Sequence, residues 1–467
     1  MATAIKLDTL KECLQFLEWL HKDKKNGVKT KVATQLSNRL TGKYNNVDHQ
    51  QIQQALSQFL TNVSKFHNKL CNKANQKQIG SNPNAVLDAL LECIPKFLAA
   101  MYFLRYNVDP GFSKLDGGGW QNYEPVGTSR IMARQLEKYL TAPLGSKEYG
   151  VIPGGFSYNE LKGGRYGYRQ GSDMANHLEQ ICEKRDGQYF RDVFSTSVLL
   201  PTSGAQESNT ANALALVRTF CGIVAEEAKK GTGGGQLISK LNEHFHEDKR
   251  ICWNNLKEHC AELQKQFSKI FTSQRFSFTG FGREVKDLKE EEFAKETAKW
   301  LRDNLATVKT NLVKIKIDET TMKNTADYFT KNLFPYGFTF DRYNFGSGMT
   351  PRTILNDNWR SVINELRKPS DGLHKLKTIL EGQECPPEKK DDEKESDKEA
   401  EGTSNQGKKT EGTPNQGKKS EGAQNQGKKS EGAQNQGKKS EGAQNQGKKT
   451  EPSPDQNNGQ SEENLPM

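Results

Sequence analysis

Residues 386–467 contain no Phe, Trp, Tyr, Val or Ile. A segment with almost no apolar surface to bury cannot offset the entropy of ordering its backbone, so this stretch is expected to be a disordered charged tail. Residues 1–385 remain, enough for one large or two medium cores. Long apolar runs are lacking as well. The longest, Phe97–Leu104, is far too short to cross a bilayer, so no membrane span is expected. The first twenty residues are interrupted by Lys6, Asp8, Lys11, Glu12 and Glu18 and read as an amphipathic helix rather than a signal peptide. The closing Glu-Asn-Leu-Pro-Met offers no hydrophobic tail to direct a lipid anchor. The chain as written reads as soluble, with no visible export signal.

The common catalytic signatures are missing. There is no Gly-x4-Gly-Lys-[Ser/Thr] phosphate loop, and Gly145-Ser-Lys147 has neither the upstream glycine nor the Lys-Ser/Thr order. No Gly-x-Ser-x-Gly elbow and no His-Glu-x-x-His helix occurs. Gly231-Thr-Gly-Gly-Gly235 approaches a dinucleotide fingerprint, but Gln236 replaces the last glycine and no strand precedes it, so it reads as an interhelical linker. His244, His246, Cys252, His259 and Cys260 form the one metal-like cluster. Cys252 and His259 share a helix face while His244 and His246 diverge, which matches no standard zinc arrangement. Glu226-Glu227 and Lys289-Glu-Glu-Glu292 read as solvated helix faces. The runs Arg165-Tyr-Gly-Tyr-Arg169 and Arg275-Phe-Ser-Phe278 have the residue types that stack single-stranded bases, though loop packing with snorkelling arginines is the favoured reading. Asn62-Val-Ser64 is a glycosylation sequon within a helical pattern. No catalytic, cofactor-binding or metal-ligating residue is assigned, and the chain is expected not to be an enzyme.

Cysteine is sparse for a small disulfide scaffold. Eight residues, at 13, 71, 93, 182, 221, 252, 260 and 385, permit up to four bridges whose connectivity sequence does not settle. Cys13 and Cys93 fall inside apolar helical patterns, where a thiol acts as a small hydrophobe.

What the sequence has is charge and helical periodicity. The net charge is +10; the tail holds 14 Lys against 16 Asp and Glu, which leaves +12 on residues 1–385. A basic body favours anionic partners, although spread over helix faces the charge serves solubility alone. Leu7, Leu10, Leu14, Leu17 and Leu20 mark a first helix, Val28–Leu40 a second and Val47–Leu70 a third. Ser81-Asn-Pro83 starts a helix apolar on most of its circumference, with Ala85–Tyr106 buried and Pro95 expected to kink or break it. A glycine-and-aromatic run follows, Asp116–Trp120, Tyr149–Tyr158 and Lys162–Tyr168, expected to pack on that helix through Trp120, Phe156, Tyr158, Tyr166 and Tyr168. Further helices are expected over Ser129–Leu140, Ser172–Glu183, Tyr189–Leu200, Gln206–Lys230, Leu237–Phe271, Val285–Ile317, Pro351–Leu366 and Leu373–Leu380. Leu333–Phe345 reads as a short strand or packed loop. No sustained alternation appears, so the fold class is mainly α, a multi-helix bundle with glycine/aromatic-rich ordered loops. An N-terminal helical segment, 1–82, and a body, 83–385, read as one continuous fold.

From Glu401 to Thr450 run five decapeptides of the form Glu-Gly-[Thr/Ala]-x-Asn-Gln-Gly-Lys-Lys-[Ser/Thr]. They offer no hydrophobic face on which repeats stack.

Read together, several motifs resemble one family. Ile94-Pro-Lys-Phe-Leu-Ala-Ala-Met-Tyr-Phe-Leu-Arg-Tyr-Asn-Val108 followed by Gly117-Gly-Gly-Trp120 is similar to the secreted antigens of Babesia parasites. So are Tyr149-Gly-Val-Ile-Pro-Gly-Gly-Phe156 with Asn159-Glu-Leu161, Tyr336-Gly-Phe-Thr-Phe340 with Trp359, Leu373–Leu380, and the opening Leu10–Leu17. The resemblance spans about residues 5–385 in consistent order. It implies a non-enzymatic antigen released by the intraerythrocytic parasite into the host red cell or plasma. The partners implied are host antibodies and some component of the red-cell surface, cytoskeleton or plasma. The alternative, carried by the basic body and the Arg/aromatic runs, is a cytosolic nucleic-acid-binding or scaffold protein.

The tail makes the first prediction. Glycine at positions two and seven of each repeat and no apolar anchor leave it proteolytically open and dispensable for folding. Five copies of one epitope also let both arms of an antibody engage one chain. Truncation after Cys385 is expected to preserve the helical circular dichroism and melting point but remove a large share of reactivity with infected-host serum. A melting point lowered by several degrees would show that the tail docks on the body.

Overall fold

Thr9 opens the first helix. Its hydroxyl accepts from the Glu12 N–H while the Glu12 carboxylate accepts from the Thr9 N–H, a reciprocal cap that satisfies two donors. The computed structural model describes residues 7–23, 27–72, 82–120, 134–163, 166–168, 171–182, 205–245, 249–270, 277–278, 288–340, 353, 355–383 and 385. The chain divides into two units, Met1–Lys389 and Lys390–Met467, and every described residue belongs to the first. The repeat tail and the helix expected over Tyr189–Leu200 lie outside the described residues.

The fold is mainly α. Helix α1 is Leu10–Lys22, and α2, Val28–Thr41, begins after Gly27 in the left-handed region. Asp48 caps α3, His49–Leu70, through the N–H groups of Gln50 and Gln51. Asn82 caps α4, Pro83–Val108, in the same way, with Pro83 in the first turn where its missing N–H costs nothing. Two shorter helices follow, α5 (Arg134–Leu140) and α6 (Gly171–Cys182). The second half contains α7 (Thr210–Lys229), α8 (Gly235–Asn242), α9 (Trp253–Ile270) and α10 (Glu290–Lys314). Helices α11 (Thr325–Asn332), α12 (Arg360–Leu366) and α13 (Gly372–Leu380) complete it. Three glutamates in the first turn of α10 complement its dipole. The strands are β1 (Ser277–Phe278) and β2 (Phe338–Thr339), paired antiparallel with Phe278 opposite Phe338.

Helix α4 is the hub. Nineteen of its 26 residues are buried, so it has little solvent face, as its apolar circumference requires. It packs on α6, α2 and α1, while α3 closes over α1, α2 and α6. In the second half α9 packs on α7 and α13, and α10 on α7, α8 and α13. The halves share one core. Tyr106 of α4 meets Phe112, Phe329, Phe334 and Phe340 at centroid separations of 5.4–5.9 Å. Behind that cluster Trp359 donates its indole N–H to the Tyr328 hydroxyl at 2.8 Å, and Tyr328 donates to the Lys316 carbonyl at 2.7 Å.

Four expectations are corrected. Helix α4 is not broken in two at buried Pro95, because packing on nearly every side outweighs one lost ladder bond. The helix expected over Leu237–Phe271 is two helices. The Asn242 side chain holds both backbone groups of Ile251, accepting its N–H at 2.7 Å and donating to its carbonyl at 3.3 Å, which draws this stretch out of the helical ladder. Among the rings of the glycine-aromatic run, Phe156 and Tyr168 are buried and Trp120 packs on the core, but Tyr158 and Tyr166 are exposed. Ala85 is half-buried and Asp88 exposed within the stretch expected to be buried.

The glycines act where backbone meets backbone. A Cβ on Gly154 would lie 2.1 Å from the Leu140 carbonyl oxygen, and one on Gly117 2.6 Å from that of Tyr106. These separations make the next prediction. Gly154→Ala should lower the melting temperature, whereas Gly42→Ala, with nothing within 4 Å of the new carbon, should not. Phe97→Ala, at a fully buried ring edge-on to Phe59, should cost about 3–5 kcal/mol in chemical denaturation.

Candidate functional site

The polar residues with any claim to chemistry are spread through the body, and the structure gives most of them a partner in the fold. The Gly231–Gly235 segment joins α7 to α8, with Gly231, Gly233, Gly234 and Gly235 all at positive φ. Glu227, buried rather than solvated, accepts from the Thr232 hydroxyl at 2.9 Å and from the Lys230 ammonium at 2.7 Å. A carboxylate lies against the glycine turn, and its like charge disfavours an anion beside it. These hydrogen bonds, the one from Lys230 foremost, hold the Glu227 pKa below the usual carboxylate range. Glu226, its neighbour, pairs with Lys229 on the exposed face.

The described residues of the metal-like cluster do not share a partner. Cys252 is bonded to Cys385. His259 is buried and its Nε2–H donates to the Gly372 carbonyl at 2.8 Å. Cys260 lies against Cys221, His244 is exposed, and His246 lies outside the described residues. Among the described residues no group of three or more His, Cys, Asp or Glu converges as a metal would require. Of the Arg/aromatic runs, Arg165, Arg169, Arg275 and Phe276 lie outside the described residues. The sequon is closed. Asn62 is 4% exposed, its amide donating to the Gln180 carbonyl at 3.2 Å, so the nitrogen that a glycan would occupy is inside the α3–α6 contact.

No protein-family model, no curated protein and no solved structure matches the chain. Function has therefore to be read from this chain's own chemistry.

Two features escape sequence reading. The first is buried charge. Glu18, 2% exposed, is ion-paired with Lys22 at 2.5 Å, and lies near His67, 3% exposed. Arg105, wholly buried, has Asp109 at 3.7 Å, Glu179 at 4.0 Å and the Phe112 ring 5.5 Å from its guanidinium carbon. In the sequence Glu18 read as a charge interrupting the first apolar stripe, while Arg105 fell within the stretch Ala85–Tyr106 expected to be buried. Among the described residues no helix is long and apolar enough to cross a membrane.

The second is the disulfide. Cys252 and Cys385, 133 residues apart, have Cα atoms 5.5 Å apart. Beside the bond Arg250 and Gln383 exchange backbone hydrogen bonds at 3.2 and 3.0 Å, and Phe245 packs over Gly382. Closing a loop of that length stabilises the folded state by about 4–5 kcal/mol in the chain-entropy model. The bond fastens the last described residue of the body, from which the chain continues into the tail. Its signal in sequence was the placement of Cys385, beyond the last helical pattern.

Three histidines make stability depend on pH. Burial lowers the pKa of His67, His177 and His259 in the folded state, against about 6.5 when unfolded. The neutral form is the one the fold accommodates, so their contribution is present above about pH 6.5 and is lost as pH falls through the folded values. Melting temperature is expected to fall between pH 7 and 5, before the exposed carboxylates titrate, and His67→Leu should flatten that slope. A pH-independent melting point over this range would contradict it.

Proposed function

We propose that this chain is a secreted, non-enzymatic antigen of the Babesia type, acting at the interface between an intraerythrocytic parasite and its host red cell. On this reading the body is a stable carrier and the decapeptide segment is what host antibodies meet. The observation that carries it is the Cys252–Cys385 bond. Structural disulfides persist in oxidising compartments and are rare where glutathione and thioredoxin keep thiols reduced. A bond that fastens the end of the folded body supports a protein built for plasma or the extracellular side of a cell. The motifs quoted from residues 5–385 support it independently. So does the structural use of Glu227, His259 and Asn62, which spends on folding the groups that an enzyme or a glycosylated surface would need to expose.

The competing reading, a cytosolic nucleic-acid binder, rests on the +12 of residues 1–385 and requires steep loss of binding with salt. One experiment separates the two. Immunofluorescence of infected red cells, combined with non-reducing immunoblots of culture supernatant, is expected to find the protein outside the parasite and oxidised. Signal confined to the parasite cytosol or nucleus would overturn the antigen reading.

A further inference from the structure

The two sides of the Cys252–Cys385 bond are held by the fold to different degrees. On one side the Asn242 side chain grips the backbone of Ile251 through two hydrogen bonds, at 2.7 and 3.3 Å. The Cys252 carbonyl accepts from the Leu256 N–H at 3.0 Å and so belongs to the first turn of α9. Ile251 is 1% exposed and Cys252 6%. This side keeps its place without the sulfur bridge. On the other side α13 ends at Leu380, and the N–H groups of Glu381 and Gly382 close it by donating to Lys377 and Ile379 at 2.9 and 3.2 Å. The Phe245 ring lies against Gly382, and Arg302 stands over that ring while donating to the Leu380 carbonyl at 3.4 Å. Beyond Gly382 the support thins. Among the described residues, the backbone hydrogen bonds of the chain end are the two that Gln383 exchanges with exposed Arg250. Longer two-stranded pairings than this are marginal in water, so the disulfide is what keeps this one closed.

The large loop that the bond spans is also closed just inside it. Helix α13 packs on α9 and α10 and buries Leu373, Leu376, Ile379 and Leu380, and the His259 Nε2–H donates to the Gly372 carbonyl at 2.8 Å. Breaking the sulfur bridge therefore leaves α9 and α13 packed on one another. We propose that Cys252–Cys385 is a redox latch: a low-molecular-weight thiol such as glutathione opens it in the folded protein, and opening frees Gln383 and Cys385 while Ile251, Cys252, α9 and α13 stay in place. The latch is closed in an oxidising compartment and opens where thiols are kept reduced.

Access sets the direction of attack. Cys252 is buried at the start of α9, whereas Cys385 is only half-buried at the edge of the body, so the incoming thiolate reaches the Cys385 sulfur. A glutathione thiolate bonds to Cys385 Sγ, the S–S bond breaks, and its electron pair leaves on Cys252 Sγ, which takes a proton. A second glutathione thiolate then attacks the glutathione sulfur of the mixed disulfide and releases Cys385, which is protonated in turn. Two glutathione thiols become one oxidised glutathione, and the protein disulfide gains two electrons and two protons. The six other cysteines take no part. This inference does not rest on the antigen reading, since it concerns the folded chain and a reductant alone.

The test uses the full-length oxidised protein in native buffer with millimolar reduced glutathione. Maleimide labelling and peptide mass spectrometry are expected to show Cys252 and Cys385 becoming thiols together while the helical circular dichroism stays unchanged. Brief exposure quenched in acid is expected to trap glutathione on Cys385; glutathione on Cys252 instead would overturn the direction of attack. Residue-resolved hydrogen exchange on the reduced protein is expected to show the Gln383 amide exchanging about tenfold faster or more, with Ile251 and the amides of α9 and α13 unchanged. Cys385→Ser should give the same pattern with no reductant present. A bond that glutathione leaves intact until the protein unfolds, or a Gln383 amide no faster once both sulfurs are reduced, overturns the latch. So does faster exchange spread through α9 and α13, which would make the bond a staple of the whole body.

Discussion

The body is held together where one loop exchanges hydrogen bonds with the ends of two helices. Every helix leaves donors unsatisfied at its start and acceptors at its end, and those buried must find partners. The segment Pro153-Gly-Gly-Phe156 supplies both kinds. The Pro153 and Gly154 carbonyls accept from Leu10 and Lys11 at 2.9 and 3.0 Å, completing the first turn of α1. The N–H groups of Gly154, Gly155 and Phe156 donate to Tyr139, Ala142 and Leu140 at the end of α5. Glycine is required because the strap lies directly on backbone, with no room for a Cβ at 154. The next residues continue the pattern. Asn72 donates to the Glu160 carbonyl and Lys162 to that of Leu70, so the same run closes the end of α3. Upstream, Gly118 and Trp120 donate to the Tyr106 and Asn107 carbonyls and close the end of α4.

This arrangement explains why the aromatic residues sit beside the glycines. A strap that spends its hydrogen bonds on helix ends gains position only if something anchors it to the core. Trp120 and Tyr149 provide this by meeting Phe103 of α4 at 5.4 and 5.9 Å, and Tyr168 by leaning on Phe66 at 5.7 Å. The ring burial supplies affinity while the glycine backbone supplies fit. The turn at Gly337, in the left-handed region, repeats the design in the second half. It sets Phe334, Phe338 and Phe340 against Tyr106 and Trp359, with its own backbone tight on the Ser208 carbonyl.

Much of this was legible in the residues because it depends on local rules. The apolar stripes of α1, α3 and α4, the Asn82-Pro83 start, and the density of glycine beside aromatics all act within a few turns of chain. What was not legible depends on distant partners. Pro95 carries a local instruction to break α4, which burial on nearly every side overrides. The break between α8 and α9 has no Gly or Pro to announce it, since it is made by the Asn242 side chain and by Gln383, more than a hundred residues on. Glu227 and Asn62 look solvent-facing in periodic patterns, and only the turn and helix that cover them reveal otherwise. The polar candidates fail as a site for the same reason: spacing along a helix says which face a residue is on, not what lies against that face.

The fate of those polar groups bears on where recognition resides. Glu227 is held by the glycine-rich turn after α7, His259 ties α9 to the start of α13, and Asn62 ties α3 to α6. Each is consumed by a contact that the fold needs, so none is available to a ligand without unfolding its own neighbourhood. Buried polar groups used in this way specify a unique arrangement of helices more than they add stability. Among the described residues the outer surface keeps the exposed rings of Tyr158 and Tyr166. The interior chemistry of this strapped body is spent on folding, and the disulfide holds its last described residue, Cys385, to Cys252 at the start of α9.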